Sequence, residues 1–313
     1  MAQPPRVGSP PVNVPTDADI ISFCHEHQSL QAHLRATSRV VIREGIAYKY
    51  GRVTRQEVDN QRLAHRILDP TIVRVPLIYR YFTSEGIDYL AMKAVAVQAW
   101  GADHDRLDAI VHAVNHLHSF TRTSPGPALG GEYGGMLWPE DDPRSFSTRE
   151  DLERYVNRRL SGTRQKMSFV DLPMVFTHGD LCSRNILCTA QEIWFLDWEF
   201  SGYYPRTTEI AVLQGDIKGS KEDCLFRQRL ADHVLHVAPL SACELPQVQT
   251  WLDFALDCVR LRNRSAETDS IMEGTQSSHA RKKRRRATGE ATRMEYRQEV
   301  LSELDAQLIH IGT

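Results

Sequence analysis

A chain of 313 residues, 41% hydrophobic and 25% charged with a formal net charge of −2, has the composition of a folded globular protein. That balance excludes a disordered chain and points to no nucleic-acid or membrane partner, and no stretch reaches the roughly 18 consecutive apolar residues of a membrane span. At this length the prior is one large domain, or two lobes with a cleft between them.

The N-terminal stretch MAQPPRVGSPPVNVP is proline-rich and lacks the apolar run of a signal peptide, so residues 1–16 are read as a flexible arm. Val40, Val41 and Ile42, then Ile46 to Tyr50, predict two strands joined by a short turn, the second carrying Lys49. Thr54 followed three residues later by Glu57 has the spacing of a capping box and opens a helix over 54–68. RVPLIYRYFTSEGIDYLAMKAV predicts a second hairpin turning at Ser84-Glu85-Gly86.

Beyond Trp100 the pattern becomes helical. Leu107, Ile110, Val111, Val114 and Leu117 predict a helix over about 104–122, with Asp103, Asp105, Asp108, His112, His116 and His118 on its exposed faces. SPGPALGGEYGGMLWP is read as a long surface loop, and STREDLERYVNRRL as a helix opened by a Ser/Thr cap. Helices are predicted over 206–217, 220–236, 245–263 and 291–310. Between the last two, a polar, aperiodic stretch near 265–290 is read as a mobile loop. The six cysteines (Cys24, Cys182, Cys188, Cys224, Cys243, Cys258) are scattered without a CxxC pair, which suits a reducing compartment.

The segment that carries chemistry is LPMVFTHGDLCSRNILCTAQEIWFLDWEF, residues 172–200. Short apolar strands at Met174-Val175-Phe176, Ile186-Leu187 and Ile193–Leu196 deliver His178, Asp180, Asn185 and Asp197 onto neighbouring loops. Hard Mg²⁺ takes oxygen ligands such as Asn185 and Asp197 can offer. A separate carboxylate, Asp180, can orient an acceptor hydroxyl and take its proton. Phosphoryl transfer needs both, because it is governed by positioning and by neutralising phosphate charge. His178 is read as orienting the loop backbone, and Trp194, Trp198 and Phe200 as core aromatics.

The pattern H-G-D-L-x-x-x-N, followed after a strand pair by D-W-E, resembles the catalytic and metal loops of the aminoglycoside phosphotransferase family, relatives of choline kinases and protein kinases. SGYYPRTTEIA after it looks like fungal members. The resemblance spans roughly residues 35–265. It implies an α+β, protein-kinase-like bilobal fold, with a β-rich N-lobe over 17–95 and a mostly helical C-lobe over 96–313. It also implies ATP and Mg²⁺, with Asp180 catalytic, Lys49 and Glu57 paired to hold the nucleotide phosphates, and Asn185 and Asp197 on the metal. By the same resemblance Glu209 buttresses the catalytic loop and the hinge falls near Met92-Lys93-Ala94-Val95. The chain departs from the pattern in three places, the first being Lys93 in that hinge, where relatives commonly carry an acid. No Gly-rich loop lies between Arg35 and Ile46, so a phosphate clamp is expected to rest on Ser38, Arg39 and the backbone of a short turn. Cys182-Ser183-Arg184 stands where relatives carry His-Pro-Gly.

The function implied is transfer of the γ-phosphoryl group of ATP to a hydroxyl on a small molecule, in the cytoplasm. The rival reading is a kinase-fold nucleotide-binding or scaffold protein with weak turnover. A metal hydrolase built on His178, Asp180 and Asp197 lacks the extra His ligands such sites use. Glu140, Asp141 and Asp142 offer negative charge for a cationic acceptor. The basic run Arg281-Lys282-Lys283-Arg284-Arg285-Arg286 resembles a nuclear localisation signal, which adds a nuclear import receptor and the nucleus to the expected partners and locations.

Overall fold

The computed structural model describes residues 14–26, 38–95, 106–139, 142, 144–160, 165–170, 172–189, 191–215 and 220–258. The basic run 281–286, the predicted helix over 291–310, and Asp103, Asp105, Glu140 and Asp141 lie outside them, as do residues 1–13 of the N-terminal arm. The chain divides into two compact units, Met1–Asp257 and Cys258–Thr313, and the elements that follow build the first.

After α1 (Asp17–Glu26) come β1 (Ser38–Arg43), β2 (Ile46–Gly51), α2 (Arg55–Ile67), β3 (Ile78–Ser84) and β4 (Ile87–Lys93). The four strands form one antiparallel sheet in the order β1-β2-β4-β3. Both predicted hairpins are present, and each turns on a Glu-Gly pair with positive φ: Glu44 (51°) and Gly45 (76°), Glu85 (52°) and Gly86 (74°). Two left-handed residues match the twist of the flanking strands, which is why such turns favour glycine.

The sheet has two unlike faces, because paired residues on neighbouring antiparallel strands point the same way. One face carries Tyr48, Tyr50, Tyr89 and Ala91, covered by Ile20 and Cys24 of α1. The other is set by the register Val40↔Lys49↔Leu90 and Ile42↔Ala47↔Met92. Leu90 and Met92 pack there with Val53 and with Val58 of α2. Val40 and Ile42 stay 48% exposed.

The remainder is mostly helical: α3 (Leu107–His118), β5 (Thr121–Arg122), α4 (Arg149–Arg159), β6 (Met174–Thr177), β7 (Ile186–Cys188), β8 (Ile193–Phe195), β9 (Gly202–Pro205), α5 (Arg206–Gln214), α6 (Lys221–Val237), and α7 over 245–258. Thr148 and Ser220 cap α4 and α6 by accepting hydrogen bonds from Asp151 N and Asp223 N. The α+β architecture expected from the motifs, a β-rich part followed by a mostly helical one, is the one found. Arg74, in the loop after α2, joins the two parts by exchanging backbone bonds with Ile193 and Phe195 of β8 (2.7 and 3.0 Å).

Three readings need correction. The 124–139 segment is no surface loop: Tyr133, Leu137 and Trp138 are buried, and Trp138 packs on Tyr204, Trp251 and Phe254. Aromatics draw a glycine-rich segment into the core wherever it can hide their area. On α3, His116 and His118 are half-buried, and His116 Nε2 accepts a hydrogen bond from Asp69 N (2.9 Å). Asp142 is paired with Arg144 and Arg159, so its charge is already neutralised.

Candidate active site

Lys49 leaves β2 on the sheet face turned away from α1, and its side chain is 7% exposed. An ammonium cannot be buried alone. It donates to Glu57 Oε1 (2.7 Å) on α2 and to Asp197 Oδ1 (3.1 Å) on the loop after β8. Burial by itself would pull the Lys49 pKa down, but the two carboxylates hold it above its ordinary range. Burial pushes Glu57 up, against the pull of Lys49. Asp197 ends below the usual carboxylate range because Lys49 outweighs its own burial.

The capping box is only half formed. Thr54 Oγ1 accepts from Glu57 N (3.0 Å), while the Glu57 carboxylate is turned to Lys49 instead of back to the helix start. The second carboxylate oxygen, Oε2, is buried without a hydrogen-bond partner.

On the other side of the site, β6 delivers the loop that holds Asp180. Gly179 has φ 81°, and a Cβ there would lie 2.5 Å from the Phe200 carbonyl oxygen, so only glycine fits. Buried Glu209 on α5 accepts from His178 N (2.6 Å) and Gly179 N (3.1 Å). Burial pushes its carboxyl up to about 7, with those two amides opposing. Asp223 of α6 accepts from Ser183 N and Oγ (2.9 and 2.8 Å), which fixes the short 3₁₀ turn Ser183–Asn185.

His178 is fully buried and its ring spans the two loops. Leu196 O lies 2.9 Å from Nε2 and Asp180 N donates to Nδ1 (3.3 Å). A carbonyl can only accept, so the neutral Nε2–H tautomer satisfies both contacts. Burial pushes His178 down to about 4, which keeps that tautomer in place. Asp180 Oδ2 takes Asn185 Nδ2 and Arg184 Nη2, both at 2.9 Å. Arg184 therefore puts a cation on the carboxylate expected to be catalytic. Burial raises the Asp180 pKa, and Arg184 opposes it.

Asn185 Nδ2 also donates to Asp180 O (2.9 Å), which leaves its side-chain oxygen as the atom able to meet a cation. Asp197 has φ 62°, a left-handed conformation costly for a residue with a Cβ. Glu57, Asp197 and Glu199 bring carboxylate oxygens within 4.8 Å of one another. An all-oxygen set of this kind around Asp197, with one buried Glu57 oxygen unpartnered, fits Mg²⁺ in its ligand chemistry, and it adds Glu57 and Glu199 to the expected pair Asn185 and Asp197.

The β1–β2 turn is not at the Lys49 end of the sheet. Gly45 O receives Ala94 N (2.9 Å), beside the predicted hinge, whereas Val40 pairs with Lys49 and Ser38 with Gly51. It is the start of β1, and not this turn, that adjoins Lys49. Trp194 and Trp198 are core aromatics as read; Trp198 stacks on Phe176 (7° between planes). Phe200 is half-buried and packs on Gly134, Gly135 and Gly179. Sequence reading missed Val40 and Ile42 on the Lys49 face, although their alternation with Val41 carried the signal. It also missed Asn60 and Asp223, which bind backbone across long sequence distances.

A family model described as "Phosphotransferase enzyme family" matches residues 46–245. Over 157 residues, 47% of the chain, the sequence is 26% identical to Ethanolamine kinase 2 of Rattus norvegicus, and that stretch spans 40% of the relative's length. Among solved structures, aminoglycoside phosphotransferase APH(4)-Ia aligns over 77% of this chain and 89% of its own, at 12% identity and a TM-score of 0.46. A choline/ethanolamine kinase family protein from Mesorhizobium loti aligns over 79% and 87%, at 12% identity and a TM-score of 0.43.

Proposed function

Because the chain belongs to the phosphotransferase enzyme family, we propose that it transfers the γ-phosphoryl group of ATP, bound with Mg²⁺, to a hydroxyl of a small molecule. The observation that carries this reading is the Lys49 ammonium held between Glu57 and Asp197, in a chain whose HGDL loop sets Asp180 against Asn185.

In this reading Lys49 binds phosphate oxygens, with Glu57 keeping the ammonium charged and aimed. Asn185 and Asp197 hold Mg²⁺, which when bound neutralises charge on the phosphates. Asp180 accepts a hydrogen bond from the acceptor hydroxyl, orients it, and takes its proton late in the transfer. Arg184 and Asn185 fix which Asp180 oxygen is spent internally, leaving Oδ1 for the acceptor. Exposed Val40 and Ile42, on the same face as Lys49 and Ala47, supply an apolar roof for the adenine ring. The partial likeness to an ethanolamine kinase supports a small alcohol as acceptor.

A thermal-shift titration coupled to nucleotide consumption tests the reading. The melting temperature should climb with ADP and Mg²⁺, as it must for any ligand that binds only the folded state. ATP should be consumed when a suitable alcohol is added. Stabilisation without consumption across a broad panel of alcohols would leave the nucleotide-binding, non-transferring alternative as the better reading.

A further inference from the structure

Asn60 lies on α2 one turn beyond Glu57 and is completely buried. A polar amide in a helix interior is a poor helix former and is expensive to bury unless all its groups are paired. Here they are. Nδ2 donates to Trp198 O (3.1 Å) and Glu199 O (3.4 Å), and Oδ1 accepts from Ala128 N (2.8 Å).

Those partners belong to two other segments. Trp198 and Glu199 directly follow Asp197, the residue held at positive φ. Ala128 sits in a stretch that is itself anchored: Arg122 donates to the carbonyls of Ser124, Gly126, Pro127 and Ala128, and Gly126 exchanges backbone bonds with Tyr203 of β9. One turn earlier on α2, Gln56 Nε2 donates to Glu132 O (2.9 Å). The helix that aims Lys49 through Glu57 therefore also grips the backbone that carries Asp197.

We propose that Asn60 is a positioning residue that locks α2 to the 197–199 loop, so that Lys49 and Asp197 are presented to the metal–nucleotide complex as one unit. Glu57 and Asn60, a turn apart on the helix, work on opposite ends of the Lys49–Asp197 contact. If α2 shifts, the phosphate-binding lysine and the metal-binding carboxylate move together. If Asn60 is lost, the loop is released while the lysine stays paired with Glu57. The identity of the ligand rests on the phosphotransferase reading above; the coupling of helix to loop does not.

The test measures ADP binding by calorimetry with and without Mg²⁺, in the whole chain and in three variants. Asn60→Asp keeps the acceptor for Ala128 N but removes the donor to the two carbonyls. Asn60→Ser is the second variant, in case the acid prevents folding. Gln56→Ala breaks the other α2 tether and leaves the metal loop alone. Partners that orient metal ligands are typically worth about 10- to 100-fold in metal affinity. We expect Asn60→Asp and Asn60→Ser to lose at least about tenfold in the Mg²⁺-dependent part of ADP affinity, with Mg²⁺-free binding and the acceptor KM little changed. Gln56→Ala should keep the full Mg²⁺ effect. Folded Asn60 variants that retain the wild-type Mg²⁺ effect, or that lose Mg²⁺-free and Mg²⁺-dependent binding equally, would overturn the proposal while leaving the phosphotransferase reading intact. A wild-type chain that binds no ADP under either condition would sink both.

Discussion

The most demanding residue is Lys49, because a nearly buried ammonium is tolerated only while its two carboxylates stay in place. Removing one partner of a buried ion pair leaves the other uncompensated, at a cost of about 3–5 kcal/mol. Lys49→Met should accordingly lower the unfolding free energy by about that amount, measured by urea denaturation, and abolish stabilisation by ADP and Mg²⁺. A variant as stable as the wild type would show that Glu57 is not relying on Lys49. Of the candidate site, Asp180, Asn185 and Asp197 were singled out because their spacing in the HGDL and DWE loops is local. Lys49 and Glu57 were legible from their order on a strand and the next helix. Asn60 and Asp223 were not, since an Asn or Asp inside a helix looks like any solvated side chain until the distant backbone it binds is known.

At the scale of elements, the HGDL loop hangs between β6, α5 and α6 through Glu209 and Asp223. Glu209 is held up to about 7 from an ordinary 4.5, so the folded chain keeps a proton there that the unfolded chain releases. Its contribution to stability is therefore full below about 4.5 and is lost as pH rises through about 7. His178, held down to about 4, has the opposite sign, so the wild-type profile alone mixes the two. The difference between wild type and Glu209→Gln isolates the glutamate. In urea titrations across pH 4.5 to 7.5, the wild-type advantage should shrink by about 3 kcal/mol as pH rises. A difference independent of pH would mean Glu209 is ionised throughout.

Elements with a strong local signature were found where the sequence put them: both hairpins, the capped helices α2 and α4, and the short strands around the HGDL loop. α1, β5 and β9 were missed. β9, Gly202-Tyr203-Tyr204-Pro205, is bounded by glycine and proline and exists because it pairs with the distant strand β6, in a register that runs from Thr177↔Gly202 to Met174↔Pro205. α1 buries only Ile20 and Cys24 and is defined by the sheet it covers. Tertiary packing, not local periodicity, decides such elements.

Across the whole molecule, the four-stranded sheet is closed by α1 on one face and open at Val40 and Ile42 on the other. Because Ile42 is 48% exposed, a charge placed there should disturb the fold by little, within about 0.5 kcal/mol. Placed under an adenine ring, the same charge should weaken ADP binding on the order of tenfold, as desolvating it would cost at least about 1.4 kcal/mol. Ile42→Glu with unchanged melting temperature and weaker ADP binding, read by calorimetry, is the expected result. Unchanged binding would place the base elsewhere. Among the described residues no helix is long and apolar enough to cross a membrane.

The most direct test of phosphoryl transfer at this site is acceptor-dependent ADP release by wild type and Asp180→Asn, screened over small alcohols in the presence of ATP and Mg²⁺. The account predicts that one or more alcohols raise ADP release in the wild type. Asp180→Asn should lose that increment by roughly 10²- to 10⁴-fold while binding ADP and Mg²⁺ as before. An Asp180→Asn chain that retains full acceptor-dependent release would contradict the account.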